Sequence, residues 1–126
     1  MEPAVKQWPS ELRLIKAGKL LKVSFEDGRS FDLTAEYLRV MSPSAEVKGH
    51  TEAERKTVGG KRGVAITEIV PVGLYAVRLS FDDLHSTGIY TWGYLYELGH
   101  THAEKWATYL AELKAKSLSR DRPGEK

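Results

Sequence analysis

Residues 19–33 read KLLKVSFEDGRSFDL, and this stretch decides the first part of the fold. Every second residue near its start is apolar, which is the period of a half-buried β-strand: Leu21, Val23 and Phe25. The dipeptide Asp27-Gly28 predicts a hairpin turn, because glycine tolerates the positive φ that tight turns between strands require. Ser30–Leu33 returns as the next strand, so the stretch predicts an antiparallel pair.

The flanking segments extend this pair into a larger unit. Glu11–Lys16 is strand-like and is followed by Ala17-Gly18, so the first third of the chain predicts a three-stranded antiparallel meander. Thr34 can cap a short helix after the meander, since its hydroxyl can accept a backbone N–H of the first turn. Pro43 is expected to end that helix.

The second half of the chain predicts more strands and two helices. Three further strands are predicted, at Val64–Val70, Tyr75–Phe81 and Gly88–Tyr90, and in the second of them Tyr75, Val77, Leu79 and Phe81 share one face. The first two are joined through Pro71–Gly73. Thr91 is predicted to cap a helix that Gly99 ends. Thr101 and Glu104 have the spacing of a capping box for a last helix.

These elements predict an α+β fold, a small and mostly antiparallel β-sheet domain with helices packed at one side. We expect an N-terminal tail at residues 1–10, one domain at 11–116 and a flexible C-terminal tail at 117–126. A chain of 126 residues with 41% hydrophobic and 29% charged residues suits a single globular domain.

Composition excludes several kinds of site and partner. The chain has no cysteine, which removes disulfides, thiolate nucleophiles and cysteine-ligated metal centres. Its net charge of +2 comes from 19 basic and 17 acidic residues. The sequence lacks the stripe of basic residues that is typical of nucleic-acid-binding proteins. No apolar run approaches the roughly 20 residues that span a bilayer. We therefore expect a cytoplasmic protein that binds neither nucleic acid nor membrane.

One predicted turn collects possible metal ligands. Asp82, Asp83 and His85 lie together between two strands, and this set could offer oxygen and nitrogen donors to a divalent metal. The alternative is that aspartates populate turns because their side chains bond nearby backbone N–H groups. Three further histidines are additional candidates: His50, His100 and His102.

The sequence carries no motif for nucleophilic or paired-carboxylate catalysis. It contains no G-x-S-x-G, and nothing singles out one of its serines as an activated nucleophile. Asp82 and Asp83 are adjacent, so in an extended segment their side chains would point apart. We therefore predict that the chain is not an enzyme.

Aromatic residues are concentrated after the Asp-Asp turn. Six of them fall close together: Tyr90, Trp92, Tyr94, Tyr96, Trp106 and Tyr109. Helical spacing assigns most of them to the core and leaves Tyr94 and part of Tyr90 for the surface. Tyrosine and tryptophan are enriched at interfaces because they bury a large area and keep a polar group. The predicted partner-binding residues are therefore Asp82, His85, Tyr90 and Tyr94, and a core role for the aromatics is the alternative.

Four segments together resemble one known family. They are FEDG at 25–28, Leu33 followed by EYLR at 36–39, PVGLYA at 71–76, and FDDLHSTGIYTW at 81–92 with Tyr94-Leu95 after it. This pattern is similar to the N-terminal domain of gamma-butyrobetaine hydroxylase, which also exists as a free-standing bacterial protein. The resemblance covers most of residues 10 to 100.

The resemblance implies a fold with a structural zinc and no catalysis of its own. In the hydroxylases three cysteines and one histidine hold the zinc; the histidine matches His85, and the cysteine positions fall in Met41–Val47. That segment contains no thiol, and a neutral serine hydroxyl is a poor zinc ligand, so we expect no metal and no cofactor here.

The activity of the hydroxylases resides in a separate barrel, and similar domains are fused to P-loop ATPases that carry iron–sulfur clusters. The resemblance therefore implies a non-enzymatic accessory or protein-interaction domain with an unidentified protein partner. The alternatives are a residual metal-binding domain around Asp82, Asp83 and His85, or an accessory factor to an iron–sulfur scaffold ATPase or an oxygenase.

Overall fold

The structure is a computed structural model that describes residues 8–43 and 57–121. The strands of these residues are β1 (Pro9–Ile15), β2 (Leu20–Phe25), β3 (Ser30–Thr34), β4 (Ile66–Val72), β5 (Ala76–Phe81) and β6 (Gly88–Thr91). The helices are α1 (Ala35–Val40), α2 (Trp92–His100) and α3 (His102–Ala115). The predicted α+β fold is confirmed. None of the helices in this part of the chain combines the length and hydropathy that crossing a bilayer requires.

The strands form two antiparallel sheets of three strands each, in the orders β1-β2-β3 and β4-β5-β6. In the first sheet Leu21 pairs with Leu33 and Val23 pairs with Phe31, as expected for the predicted meander. The inner faces of both sheets and the three helices share one core. Its largest fully buried side chains include Tyr37, Tyr90, Tyr109, Leu21, Leu33, Leu38, Leu79, Leu95 and Leu98.

The β1–β2 turn ties the first sheet to the second at Gly18. The Ile66 N–H donates to the Gly18 carbonyl at 2.8 Å. Gly18 has φ +87, and a Cβ placed there would lie 2.4 Å from the Ile66 carbonyl oxygen. A side chain at this position would therefore be strained and would also separate the two sheets.

The turn between β4 and β5 lies later than predicted. Pro71 and Val72 belong to β4, where Val72 pairs with Ala76. A proline is tolerated there because β4 is an edge strand and the missing N–H breaks no inner ladder. Tyr75 was predicted to lie in the strand on the same face as Val77 and Leu79, but it lies in the turn and is 54% exposed.

The two halves of the chain build the same supersecondary unit. Unit 1 is β1-β2-β3-α1 (residues 9–40), and unit 2 is β4-β5-β6-α2 (residues 66–100). Each unit is an antiparallel meander followed directly by a helix. Each helix begins after a threonine whose hydroxyl accepts a backbone N–H at 3.1 Å, from Tyr37 to Thr34 and from Tyr94 to Thr91. Both predicted threonine caps are confirmed.

The two units hold each other through reciprocal tyrosine hydrogen bonds. The Tyr37 hydroxyl of α1 donates to the carbonyl of Leu98 in α2 at 2.7 Å. The Tyr94 hydroxyl of α2 donates to the carbonyl of Met41 at the end of α1. Each acceptor lies one helical turn after the tyrosine of its own unit, so the two bonds are equivalent. Burial raises the pKa of Tyr37 well above its ordinary value, which keeps the donor protonated.

Gly99 does not end its helix as predicted, because α2 continues through it to His100. The glycine is required by packing: a Cβ at Gly99 would lie 2.3 Å from Cγ of the Phe31 ring. We expect Gly99→Ala to destabilise the domain by about 1–3 kcal/mol through overpacking, although alanine favours helix. Gly93→Ala in the same helix is the control, since its Cβ would meet nothing within 4 Å. Urea unfolding of both variants tests this, and equal stabilities would contradict the packing explanation.

The predicted capping box at Thr101 is also wrong. The Thr101 hydroxyl donates to the Glu97 carbonyl at 2.7 Å and makes no cap to the N-terminus of α3. Only this one residue separates α2 from α3, so its side chain satisfies the end of the first helix instead of the start of the second.

A C-terminal segment packs beyond the last helix. The sequence predicted a flexible tail from residue 117, whereas residues 117–121 lie against the body of the domain. The backbone N–H groups of Gly60 and Arg62 donate to the carbonyls of Ser119 and Arg120, at 2.8 Å and 3.0 Å. The Arg120 guanidinium binds the Glu36 carboxylate of α1 through two hydrogen bonds of 2.8 Å and 2.7 Å. The segment therefore links residues 60–62 to α1.

Candidate functional site

The β5–β6 turn, Phe81–His85, is a tight and fully bonded loop. The Leu84 N–H donates to the Phe81 carbonyl at 3.0 Å, and the Phe81 N–H donates to the His85 carbonyl at 2.9 Å. The Asp83 Oδ1 atom accepts the His85 N–H at 3.1 Å. Leu84 has φ 73 and is 91% exposed. This pattern is a three-residue hairpin whose last loop residue takes the left-handed conformation.

The β2–β3 turn, Phe25–Arg29, has the same hydrogen bonds. The Gly28 N–H donates to the Phe25 carbonyl at 3.0 Å, and the Phe25 N–H donates to the Arg29 carbonyl at 2.8 Å. The Asp27 Oδ1 atom accepts the Arg29 N–H at 2.9 Å. Gly28 is the left-handed residue, with φ 93. The two turns are equivalent parts of units 1 and 2.

Each turn presents its aspartate to the helix of the other unit. The Asp83 Oδ2 atom accepts from Arg39 Nε of α1 at 2.8 Å, and the Asp27 Oδ2 atom accepts from the Tyr96 hydroxyl of α2 at 2.7 Å. Arg39 and Tyr96 hold the same position in their helices. The turns therefore dock reciprocally, with an ion pair on one side and a neutral donor on the other.

Asp83 lies between two cations. Lys61 Nζ also donates to its Oδ2 atom, at 2.5 Å. Burial alone would raise the pKa of Asp83, but the hydrogen bonds from Lys61, the His85 N–H and Arg39 outweigh it and lower the pKa to about 2. The Arg39 Nη1 atom is buried and has no hydrogen-bond partner within residues 8–43 and 57–121. The carboxylate thus holds α1, residue 61 and the β5–β6 turn together.

His85 is a core residue that bonds to the end of α1. Its Nε2 atom lies 2.9 Å from the Ser42 hydroxyl oxygen. Ser42 is 1% exposed and His85 is 6% exposed. Gly88 lies beside this pair, and a Cβ there would come 2.5 Å from the Ser42 hydroxyl oxygen. The pair is therefore closed off from solvent.

Two of the four predicted partner-binding side chains lie in the core. Tyr90 is fully buried, and its hydroxyl donates to the Leu38 carbonyl; His85 is buried as well. Tyr94 is half-buried against Met41, as described above. The reciprocal packing of the two units uses these side chains, so they support the core interpretation of the aromatics. Asp82 alone of the four is exposed, and its Oδ1 atom accepts the Ala65 N–H at 3.1 Å.

The candidate metal ligands do not converge. Asp82 accepts the N–H of the residue that precedes β4. Asp83 binds two cations, and His85 bonds to a serine hydroxyl. His100 lies 3.3 Å from an Arg29 guanidinium nitrogen, and His102 packs on Tyr37. His50 lies outside the described residues. Across residues 8–43 and 57–121, no group of three or more histidine, cysteine, aspartate or glutamate side chains could hold a metal ion.

Sequence reasoning missed several residues that build this site: Arg39, Lys61, Ser42 and Leu84. One signal could have found part of the set. The five residues FEDGR at 25–29 and FDDLH at 81–85 share the phenylalanine, the acidic second residue and the aspartate of the docking contact. Arg39, the partner of Asp83 on α1, gave no comparable signal, because a charged residue in a short helix is usually solvated.

The family model described as gamma-butyrobetaine hydroxylase-like, N-terminal, matches residues 12–96. The chain belongs to this family. The matched residues contain both repeated turns and the whole of the candidate site. The comparison with curated proteins gave no match.

Three solved structures are similar to the chain in sequence and in fold. Two solution NMR structures share 46% and 44% sequence identity with the chain, both with a TM-score of 0.80. The alignments cover 96% and 95% of this chain and 94% and 90% of the others. A crystal structure from Acidithiobacillus ferrooxidans, described as a protein of unknown function in the DUF971 family, is 39% identical with a TM-score of 0.63. The alignment with this crystal structure covers 77% of the present chain and 98% of the other chain.

The donors of this member do not fit the zinc that the family resemblance implies. The histidine position is kept at His85, but its Nε2 atom is bonded to the Ser42 hydroxyl, and a neutral hydroxyl is a poor zinc ligand. The chain has no cysteine to supply the other ligands. The nearest charges on the turn's carboxylate are the cations Arg39 and Lys61, which would repel a second cation.

We expect Ser42→Ala to destabilise the domain by about 1–3 kcal/mol, because it removes a buried hydrogen bond of the His85 ring. Ser86→Ala is the control, since Ser86 is exposed on the same loop and should change stability by less than about 0.5 kcal/mol. Urea unfolding of the two variants at neutral pH measures both values. If the two variants were equally stable, the pair would not hold α1 to the turn.

Proposed function

We propose that the chain is a non-enzymatic accessory domain that binds a protein partner. The observation that carries the proposal is a contrast between the polar and the apolar side chains of the described residues. The polar groups of the candidate site bond within the domain, while large apolar side chains face solvent: Leu74 84%, Leu84 91%, Tyr75 54% and Ile89 42% exposed. A protein partner that buries these side chains gains stability, because removing apolar surface from water is the dominant favourable term in most protein association.

The polar groups of the site suit a structural role better than catalysis. A nucleophile and its base must reach a substrate, but Ser42 and His85 are buried against each other. A general base works best with a pKa near the working pH, and the pKa of Asp83 is held at about 2. These features support a domain whose polar network fixes its shape.

The family resemblance supports a finer proposal about the partner's class. Because similar domains are fused to iron–sulfur ATPases and to oxygenases, we propose that this chain serves such a scaffold ATPase or oxygenase in trans. The cytoplasmic location expected from the sequence is part of this proposal. The metal-binding alternative has no comparable support, since the donor set around His85 lacks thiolates.

The native size of the chain in its host tests the proposal. A tagged chain expressed from its own locus should elute from a size-exclusion column in an assembly well above its monomer mass of 14.1 kDa. Purified chain at the same concentration is the control for self-association. Elution of the chain at one position in lysate and in pure form would overturn the proposed function.

A further inference from the structure

Leu84 occupies a position where the equivalent turn of the same chain uses glycine. The turns at Phe25–Arg29 and Phe81–His85 have matching hydrogen bonds, and Gly28 stands where Leu84 does. The left-handed conformation suits glycine and strains leucine. A Cβ at Gly28 would meet nothing within 4 Å, so this turn closes without any side chain.

Leu84 also gains nothing from folding, because its side chain is 91% exposed. Strain and apolar exposure are both unfavourable for the isolated domain. Residues held in sparsely populated backbone regions are concentrated at functional sites, where another requirement maintains them. The other fully exposed leucine, Leu74 at 84%, is in the β4–β5 turn and has no positive φ. Leu84 is therefore distinguished from Leu74 by its backbone.

The residues on the N-terminal side of Leu84 are fixed by hydrogen bonds and ion pairs. The Asp82 N–H donates to the Ala65 carbonyl at 2.9 Å, and the Ala65 N–H donates back to Asp82 Oδ1 at 3.1 Å. On the other side Asp83 is fixed by Arg39 and Lys61. A contact segment whose backbone is already ordered loses less conformational entropy when it binds. These bonds therefore preorganise the backbone of the β5–β6 turn, from which Leu84 projects.

We infer that the β5–β6 turn is the surface that binds the protein partner, with Leu84 inserted into an apolar pocket; this rests on the proposed function. Asp82 is exposed beside the anchor, and its Oδ2 atom makes no hydrogen bond within the described part of the chain. The pocket therefore carries a cationic or N–H donor at its rim. A membrane is the weaker fit, because anionic headgroups repel Asp82 and one leucine buries little area.

The test uses Leu84→Gly, because Gly28 shows that the turn accepts glycine. Its melting temperature should equal or exceed that of the wild type, since the left-handed strain is removed. In host lysate the fraction of the chain in the large assembly should fall about tenfold or more, as for loss of a central contact residue. Leu84→Asn, which also tolerates this conformation and is polar, should behave the same way. Leu110→Gln, at another exposed leucine that lies on α3, is the control and should leave the assembly intact.

The possible results distinguish a wrong binding surface from a wrong function. If Leu84→Gly melts like the wild type and stays in the assembly, the surface is wrong and the proposed function stands. If wild-type chain forms no assembly, the proposed function fails first. Purified chain is also mixed with phosphatidylglycerol vesicles; cosedimentation that requires Leu84 would overturn the protein pocket in favour of a membrane contact.

Discussion

Replacing Arg120 with methionine should destabilise the domain by about 3 kcal/mol at neutral pH. The Glu36 side chain is only 6% exposed, and Arg120 binds both of its carboxylate oxygens. Glu36 raises the pKa of Arg120 above its ordinary value, as expected for a guanidinium that donates to a carboxylate. Methionine keeps an apolar stem beside Trp106 but leaves a buried carboxylate without its cation.

A rescue variant separates the lost charge pair from lost packing. Adding Glu36→Gln to Arg120→Met removes the uncompensated charge, so the double variant should recover about half of the lost stability. Asp121→Asn is the control on the same segment, because Asp121 pairs with Arg62 nearer the surface and should change stability by less than about 1 kcal/mol. Urea unfolding at low salt measures all four proteins.

Two outcomes would contradict this role of the C-terminal segment. One is an Arg120→Met variant within about 0.5 kcal/mol of the wild type, the range of an ordinary surface substitution. The other is a double variant no more stable than the single one, which would assign the loss to packing on Trp106. The predicted loss therefore measures how firmly residues 117–121 hold α1.

Local patterns predicted much of the fold. The Asp27-Gly28 turn and the threonine caps at Thr34 and Thr91 depend on a few neighbouring residues, and the structure confirms all three. The predictions at Gly99 and Thr101 are wrong because a distant ring and a preceding helix determine those positions. Local chemistry predicts an element when its partners are close in sequence.

The candidate site was less predictable because it lies between two repeated units. Glu36 and Arg39 have the sequence pattern of a solvated helix face, yet both are buried, at 6% and 9% exposure. Their partners, Arg120 and Asp83, come from far along the chain, and no pattern within α1 indicates them. Tyr90 was predicted to lie partly at the surface for the same reason. It is fully buried, and its hydroxyl donates to the Leu38 carbonyl of α1.

The two equivalent turns differ in how they are anchored and in the residue at the tip. Asp27 is bound by a neutral tyrosine, and its turn carries Gly28 at the tip. Asp83 is bound by two cations, and its turn carries Leu84. The second turn is therefore the more firmly anchored one and the one with an apolar tip. Firm anchoring of the backbone lowers the entropic cost of binding, which supports the proposed docking surface at this turn.

Replacing Asp83 with asparagine should destabilise the domain by about 3 kcal/mol at neutral pH. Asparagine keeps the side-chain oxygen that accepts the His85 N–H, so the turn can still close. What it removes is the charge that compensates Arg39, which is buried, and Lys61. Asp27→Asn is the matched control in the equivalent turn, and it should cost much less because its helix partner is the neutral Tyr96 hydroxyl.

The pH dependence of stability gives an independent readout of the same carboxylate. The pKa of Asp83 is about 2 in the folded state, against an ordinary value of 3.8. A lowered folded-state pKa contributes stability that is fully present above about pH 4 and is lost as the pH falls towards 2. At 1.36 kcal/mol per pKa unit, this contribution is about 2 kcal/mol.

Urea unfolding of the wild type and Asp83→Asn at several pH values between 2 and 7 measures this contribution. The difference between the two proteins should shrink by about 2 kcal/mol as the pH falls from 4 to 2, because protonation makes Asp83 resemble asparagine. A difference that stays constant over this range would mean that Asp83 is not held by Arg39 and Lys61. In that case the β5–β6 turn would not be firmly anchored, and Leu84 would not project from a preorganised backbone.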